Sequence, residues 1–304
     1  MNCKRRTFLR AMVALGAAGW LPAGAGVKSS AIHTRAIPGT GEPVPAIGMG
    51  TWITFDVHGE RAMDVRVEIL KAFFAGGGGM IDSSPMYGAA EEVVGRCLER
   101  LDGTPGLFSA TKVWTPGRAF GEGQMRDSLA LWGLPRLDLL QVHNLLDWET
   151  HLQTLRAWKL EQRVRYIGVT TSHGRRHDEM LRIMADEPLD FVQFTYNIDD
   201  RQAERRLLPL AAERGIAVIA NRPFQGGNLF RRVAGRPLPG WAAEIACDNW
   251  AQVFLKFIIS HPAVTCAIPA TSQVAHMIEN MDALRGPLPD QALRERMARD
   301  FAAL

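Results

Sequence analysis

Eight short apolar runs punctuate the chain: Ala46 to Gly50, Met80 to Ser83, Leu107 to Val113, Leu137 to His143, Val164 to Thr170, Leu189 to Tyr196, Ile216 to Asn221 and Val264 to Pro269. Each is strand-sized and lacks apolar–polar alternation, the pattern of parallel strands covered on both faces. Most begin about 30 residues apart, the length of one strand–loop–helix–loop unit. Helical stripes fill the intervals: Val65, Ile69, Leu70, Phe73 and Phe74 in one, Val93, Val94, Cys97, Leu98 and Leu101 in another. Eight such α/β units close into a (β/α)8 TIM barrel. A doubly wound open sheet would need a glycine-rich fingerprint directly after an early strand, and none is present.

Three segments depart from the repeat. His33 to Pro45, with Gly39-Thr40-Gly41 at its centre, predicts an N-terminal β-hairpin capping the bottom of the barrel. The interval between the seventh and eighth runs is long and rich in glycine and proline before a helix from about Asp248 to Ser260, which predicts an inserted loop. The run Gly76 to Gly79 resembles a phosphate loop in composition only. No helix start follows it, so it reads as a helix end and turn.

The first 25 residues are of another kind. Lys4, Arg5, Arg6, Thr7, Phe8, Leu9 and Arg10 precede an apolar run from Ala11 to Leu21, and Ala23-Gly24-Ala25 supplies small residues for cleavage. The paired arginines followed by Phe8-Leu9 resemble a twin-arginine export signal, although Lys4 stands where that pattern usually has Ser or Thr. That resemblance implies recognition by the twin-arginine machinery and a periplasmic destination. No internal repeat or low-complexity tract stands out in the rest, so residues 26–304 read as a single domain. The apolar run falls well short of the ~20 residues that span a bilayer, so no stable membrane span is expected after processing. Removing the segment's four basic charges from the net +3 leaves −1, and no basic surface points to nucleic acid. Cys97, Cys247 and Cys266 form no CxxC pair. The first and last read as buried packing residues, and Cys247 is open to a disulfide in an oxidising compartment.

Barrel enzymes collect their chemistry where the strands end at the C-terminal face. The second run ends in Asp82, with Tyr87 five residues on; the third carries Lys112 and the fourth ends in His143. A lysine at the end of an apolar strand needs a partner, and Asp82 is the nearest acid in this arrangement. The pair alone is also what a purely structural ion pair would look like. As chemistry, Lys112 beside Tyr87 is predicted to lower the phenol's pKa toward working pH. Tyr87 would then protonate a carbonyl oxygen while His143 supplies a second polar contact.

Asp82-x-x-x-x-Tyr87-Gly88, the strand-end Lys112 and the strand-end His143 together resemble the aldo/keto reductase tetrad. Gly48-Met49-Gly50-Thr51-Trp52 at the start and Ile268-Pro269 through Glu279-Asn280 at the end fall in the same order. The resemblance covers residues 33 to 285. It implies a TIM barrel that binds NADP(H) without a Rossmann domain and reduces small-molecule aldehydes and ketones. By the same resemblance Tyr87 is the proton donor, Lys112 its activator, Asp82 the lysine's partner and His143 the carbonyl-orienting group. Gln193 matches the glutamine that holds the nicotinamide carboxamide. The loop Pro223 to Leu229, including Phe224 and Gly226, matches the loop along the pyrophosphate. Pro269, Thr271 and Ser272 follow the eighth strand toward the ribose, and Glu279 and Asn280 match the adenine-end pair. Trp52 and Trp114 fall where substrate-pocket aromatics lie, core packing being the other reading, and Phe55, Phe120 and Trp148 are candidates for the same mouth.

Several positions depart from that pattern. Thr170-Thr171 replaces Ser-Asn after the fifth strand, and Asn221 replaces the aromatic residue that stacks on the nicotinamide ring. Arg222 occupies a small-residue position, where it reads either as a forked contact to phosphate or as a surface salt bridge. Ala270 and His276 stand where a 2′-phosphate grip would be. The resemblance therefore implies NADP, with NAD as the alternative.

Three functions compete on this reading. The first is an exported NAD(P)H-dependent carbonyl reductase, and the second a non-turnover NADP-binding sensor or binding module on the same barrel. The third is a different barrel enzyme using Lys112 as a Schiff-base amine or carboxylates with a metal; no clustered His/Asp/Glu ligand set supports the metal version.

Overall fold

The computed structural model describes residues 31–304; the export signal read over residues 1–25 lies outside the described residues. The hairpin is present: β1 (Thr34–Ala36) pairs antiparallel with β2 (Pro43–Pro45), Arg35 opposite Val44. Eight parallel strands follow: β3 (Met49–Gly50), β4 (Met80–Asp82), β5 (Phe108–Val113), β6 (Leu137–Val142), β7 (Val164–Thr170), β8 (Phe191–Thr195), β9 (Ala217–Asn221) and β10 (Cys266–Ala267). The sheet closes where Ile47 bridges Ala267, with Gly48 N–H donating to Ala267 O (2.8 Å) and Gly50 N–H to Pro269 O (3.0 Å). A (β/α)8 barrel results, and every predicted run contributes its strand.

Strand residues are buried on both faces, which is why the runs show no alternation. The inward layer gathers Met80, Phe108, Leu139, Tyr166, Phe191, Ile219 and Cys266 with Ile37 and Val44 of the hairpin. Phe108, Tyr166 and Phe191 pack with ring centroids 5.5 to 5.9 Å apart, and the Tyr166 hydroxyl donates to Glu42 (2.6 Å) on the hairpin. The hairpin thus plugs the bottom of the barrel and leaves the opposite end open for chemistry.

Helices α1 (Glu60–Ala75), α2 (Ala90–Leu98), α3 (Arg118–Trp132), α4 (Trp148–Leu160), α5 (His177–Asp186) and α6 (Leu207–Arg214) cover the strands. In α1 the buried stripe is Met63, Val67, Ile69, Leu70 and Phe73. Val65, expected in that stripe, instead faces out, because Met63 and Val67 hold the turn that points inward. Gly76 to Gly79 form the predicted helix end and turn: Gly77 has φ +94°, and a Cβ on Gly78 would come within 2.2 Å of the Phe73 ring. After β9 the inserted segment carries α7 (Asn228–Arg232) and leads to α8 (Trp250–Ile259), whose N-cap Asn249 accepts from Gln252 N–H (3.0 Å). Then come α9 (Val274–Asp282) and α10 (Gln291–Ala302).

Cys97, Cys247 and Cys266 are buried free thiols. Burial raises all three, Cys97 and Cys247 to about 11, so none is a thiolate at neutral pH. Among the described residues no helix is long and apolar enough to cross a membrane.

Candidate active site

Asp82, Lys112 and His143 sit at or just past the C-terminal ends of three adjacent strands, and Tyr87 reaches back on the loop after β4. Parallel register sets this up, since Asp82 pairs with Ala110 and Lys112 with Gln141. Lys112 Nζ donates to Asp82 Oδ2 (2.6 Å) and to Ser83 O (2.7 Å), with neither side chain open to solvent. Asp82 Oδ1 accepts from Gln193 Nε2 (2.9 Å) and Gln141 Nε2 (3.2 Å). Each carboxylate oxygen is therefore satisfied, as a buried charge requires. Burial alone would pull the Lys112 ammonium down, but Asp82 and Tyr87 hold it above its usual value, so it stays charged.

Lys112 Nζ lies 5.2 Å from the centroid of the Tyr87 ring. Contrary to the sequence expectation, the Tyr87 phenol is raised above its usual value. Burial dominates, and the pull of Lys112 is partly cancelled by Asp82. The consequence is a phenol that remains protonated through neutral pH beside a fixed positive charge. His143 packs edge-on against Tyr87, centroids 5.7 Å apart, and its Nδ1 meets Ser84 Oγ at 2.8 Å. Burial first and Lys112 second pull its pKa down to about 3, so the imidazole is neutral.

A cavity of about 390 Å³ opens at this end of the barrel. Asp82, Tyr87, Gln193, Asn221, Arg222 and Gly226 face it, as do Trp52, Pro223 and Phe224. Ile53 and Arg222 also line it, in left-handed backbone at φ +64° and +51°. Apart from Gln162 and Ala246, the non-glycine residues of this conformation lie in loops that directly follow a barrel strand, so most of the local strain sits at the functional face.

The predicted nucleotide residues divide in two. Gln193, Asn221, Arg222, Pro223, Phe224 and Gly226 are brought together on the cavity wall. Thr170, Thr171, Leu229, Pro269, Thr271, Ser272, His276, Glu279 and Asn280 do not line it. The last five lie on the loop after β10 and on α9, and Leu229 and Pro269 are buried. Thr170 Oγ1 accepts from Asn144 N–H (3.1 Å), and Thr171 Oγ1 donates to Arg175 O (2.6 Å), so both hydroxyls are engaged by protein. Asn221 is likewise tied down: Oδ1 accepts from Thr195 Oγ1 (2.9 Å), and Nδ2 donates to Thr171 O (2.9 Å) and, at 3.4 Å, to Gln193 Oε1. No ion pair among the described residues includes Arg222, whose guanidinium is pulled down first by burial and only partly supported by the more distant Asp200, so the surface-pair reading is not met.

Trp114 stands at the rim, 6.5 Å from the His143 ring centroid, outside the cavity lining. Phe55 is fully buried, so the expectation that it lines the mouth is corrected; Phe120 is largely exposed, and Trp148 packs against the core. Sequence reading missed Gln141 and Ser84. Gln141 was detectable, because it is polar inside an apolar strand and two residues before His143, hence on the same strand face. Ser84 carried no comparable signal.

The family model described as the aldo/keto reductase family matches residues 46–296. The chain belongs to the aldo/keto reductase family. It is 26% identical over 199 residues to aldo-keto reductase YhdN of Bacillus subtilis, an alignment spanning 60% of this chain and 59% of that protein. With an aryl-alcohol dehydrogenase [NADP(+)] of Phanerodontia chrysosporium it shares 24% identity, covering 87% of this chain and 85% of the relative. An aldo-keto reductase from Klebsiella pneumoniae, solved in complex with NADPH, superposes with a TM-score of 0.74 at 24% identity, over 89% of this chain and 95% of that one.

Proposed function

We propose that this chain is an NADP(H)-dependent carbonyl reductase that converts aldehydes or ketones to alcohols. The observation that carries the reading is the sealed Asp82–Lys112 pair set behind Tyr87, whose raised phenol faces the cavity. The residues present fit a dinucleotide. Arg222 offers a guanidinium that makes no ion pair among the described residues, Gly226 and Gly227 present left-handed backbone to the cavity, and Gln193 lines it. When bound, the reduced nicotinamide supplies a hydride to the carbonyl carbon. Tyr87 gives its proton to the carbonyl oxygen, Lys112 stabilises the phenolate left behind, and neutral His143 orients that oxygen. Gln193 and Arg222 hold the nucleotide, the latter through charge-assisted contacts to phosphate. The Phanerodontia relative, whose name specifies NADP(+), supports NADP over NAD; Ala270 and His276 leave NAD as the alternative.

The same proposal includes export. Arg5-Arg6 with Phe8-Leu9, the apolar run to Leu21 and Ala23-Gly24-Ala25 support passage through the twin-arginine machinery to the periplasm. Replacing Arg5 and Arg6 by lysine should retain the protein in the cytoplasm; unchanged fractionation would reject this part. The locked Asn221 amide, in place of a stacking ring, favours the second reading, a nucleotide-holding module without turnover. Mass spectrometry of nucleotide released from the purified protein, followed by NADPH oxidation with an aromatic aldehyde, separates the two. Turnover supports the reductase, and bound nucleotide without turnover supports the module.

A further inference from the structure

We propose that Ser84 is a positioning residue that fixes His143 in the tautomer carrying its proton on Nε2, so that the imidazole can only donate toward the reacting oxygen. The functional half of the proposal rests on the carbonyl-reduction reading, while the structural half rests on hydrogen-bond accounting. Ser84 Oγ accepts from Met86 N–H (3.2 Å) and meets His143 Nδ1 at 2.8 Å. Ser84 is fully buried, and the described residues offer its hydroxyl proton no other acceptor.

Two arrangements are possible. If Nδ1 carried the hydrogen, Oγ would face two donors and its own proton would point at nothing. With Oγ donating to Nδ1, all of these groups are satisfied, and a neutral ring then has its hydrogen on Nε2. His143 Nε2 makes no hydrogen bond among the described residues, and the ring packs edge-on against Tyr87, which lines the cavity although His143 itself does not. The imidazole is neutral over the working range, because burial and Lys112 hold its pKa at about 3. Ser84 O also accepts from Tyr87 N–H (2.9 Å), closing the turn that carries the proton donor. An alanine at position 84 keeps that backbone contact and removes both bonds of the hydroxyl, the one to His143 Nδ1 and the one from Met86 N–H, whereas threonine keeps a hydroxyl for both.

The test is long-range proton–nitrogen NMR on the protein labelled with ¹⁵N-histidine, without nucleotide at neutral pH, His143 being assigned by its loss in His143→Gln. We expect Nε2–H in the wild type, a shift toward Nδ1–H in Ser84→Ala, and recovery in Ser84→Thr. In turnover with NADPH and an aldehyde, Ser84→Ala should lower kcat at least about tenfold, leave NADPH affinity unchanged, and be rescued by threonine. Nδ1–H in the wild type, or Nε2–H fully retained in Ser84→Ala, would overturn the proposal. Because the NMR reads the ring without turnover, an inactive wild type counts against the reductase reading and not against the tautomer.

Discussion

Lys112 Nζ lies 2.6 Å from Asp82 Oδ2, both side chains sealed from water at the end of the barrel that holds the cavity. Desolvation offsets most of the attraction in such a pair, so it adds little net stability, yet removing one partner strands the other charge. The family's chemistry gives a reason to keep it, because a fixed ammonium is what Tyr87 needs when it loses its proton.

Lys112→Met should therefore destabilise the fold by about 3–5 kcal/mol, and Asp82→Asn combined with Lys112→Met by clearly less than the two single losses together. Urea unfolding of the four proteins checks this. Additive losses would show that the two groups are not coupled.

With Tyr87 as the proposed proton donor, its raised phenol would set the pH dependence of the reaction. Reduction needs the protonated phenol, so kcat for aldehyde reduction should hold through neutral pH and fall only on the alkaline side of the ordinary tyrosine value. Alcohol oxidation needs the phenolate and should rise over the same alkaline range. A reduction profile falling with an apparent pKa near 7 would be incompatible with this site.

His143 links stability to acid. Its pKa is about 3 when folded against an ordinary 6.5, so the unfolded chain binds the extra proton first. The contribution is complete above pH 6.5 and is lost as pH falls toward 3, at about 1.4 kcal/mol per pH unit. His261, pulled down to about 4, acts in the same sense. Chemical denaturation between pH 6.5 and 4.5 should show a shallower slope in His143→Gln, and equal slopes would contradict the assignment.

Arg222 is free to hold an anion in the cavity wall. Arg222→Met should weaken NADPH binding about tenfold or more, the scale of a charge-assisted contact, while kcat at saturating nucleotide changes little. Titration calorimetry reads the first quantity and steady-state kinetics the second. An unchanged Kd would place the guanidinium outside the nucleotide site.

Much of this architecture is legible in the sequence, for identifiable reasons. Parallel strands buried on both faces leave continuous apolar runs, so all eight strands were visible and β7 was located to the residue. Charged side chains at the ends of apolar strands need partners, so Asp82 and Lys112 stood out, and His143 did so by its place in order after them. The direction of the Tyr87 shift was not legible, because it depends on how deeply the ring is enclosed, which the chain order does not encode. Nor were the engaged hydroxyls of Thr170 and Thr171 or the locked amide of Asn221, whose partners come from other strands and loops. Val65 was misplaced because two apolar positions flank it on the same helix and only packing decides which turn faces the core.

The central claim is that Tyr87 delivers the proton during carbonyl reduction. The most direct measurement is NADPH consumption with an aromatic aldehyde by the wild type and by Tyr87→Phe, with NADPH binding measured in parallel. Turnover in the wild type, with kcat reduced by at least about 100-fold in Tyr87→Phe and nucleotide affinity retained, is the predicted result. Equal turnover in the two proteins, or NADPH bound by the wild type without any turnover, would contradict the account.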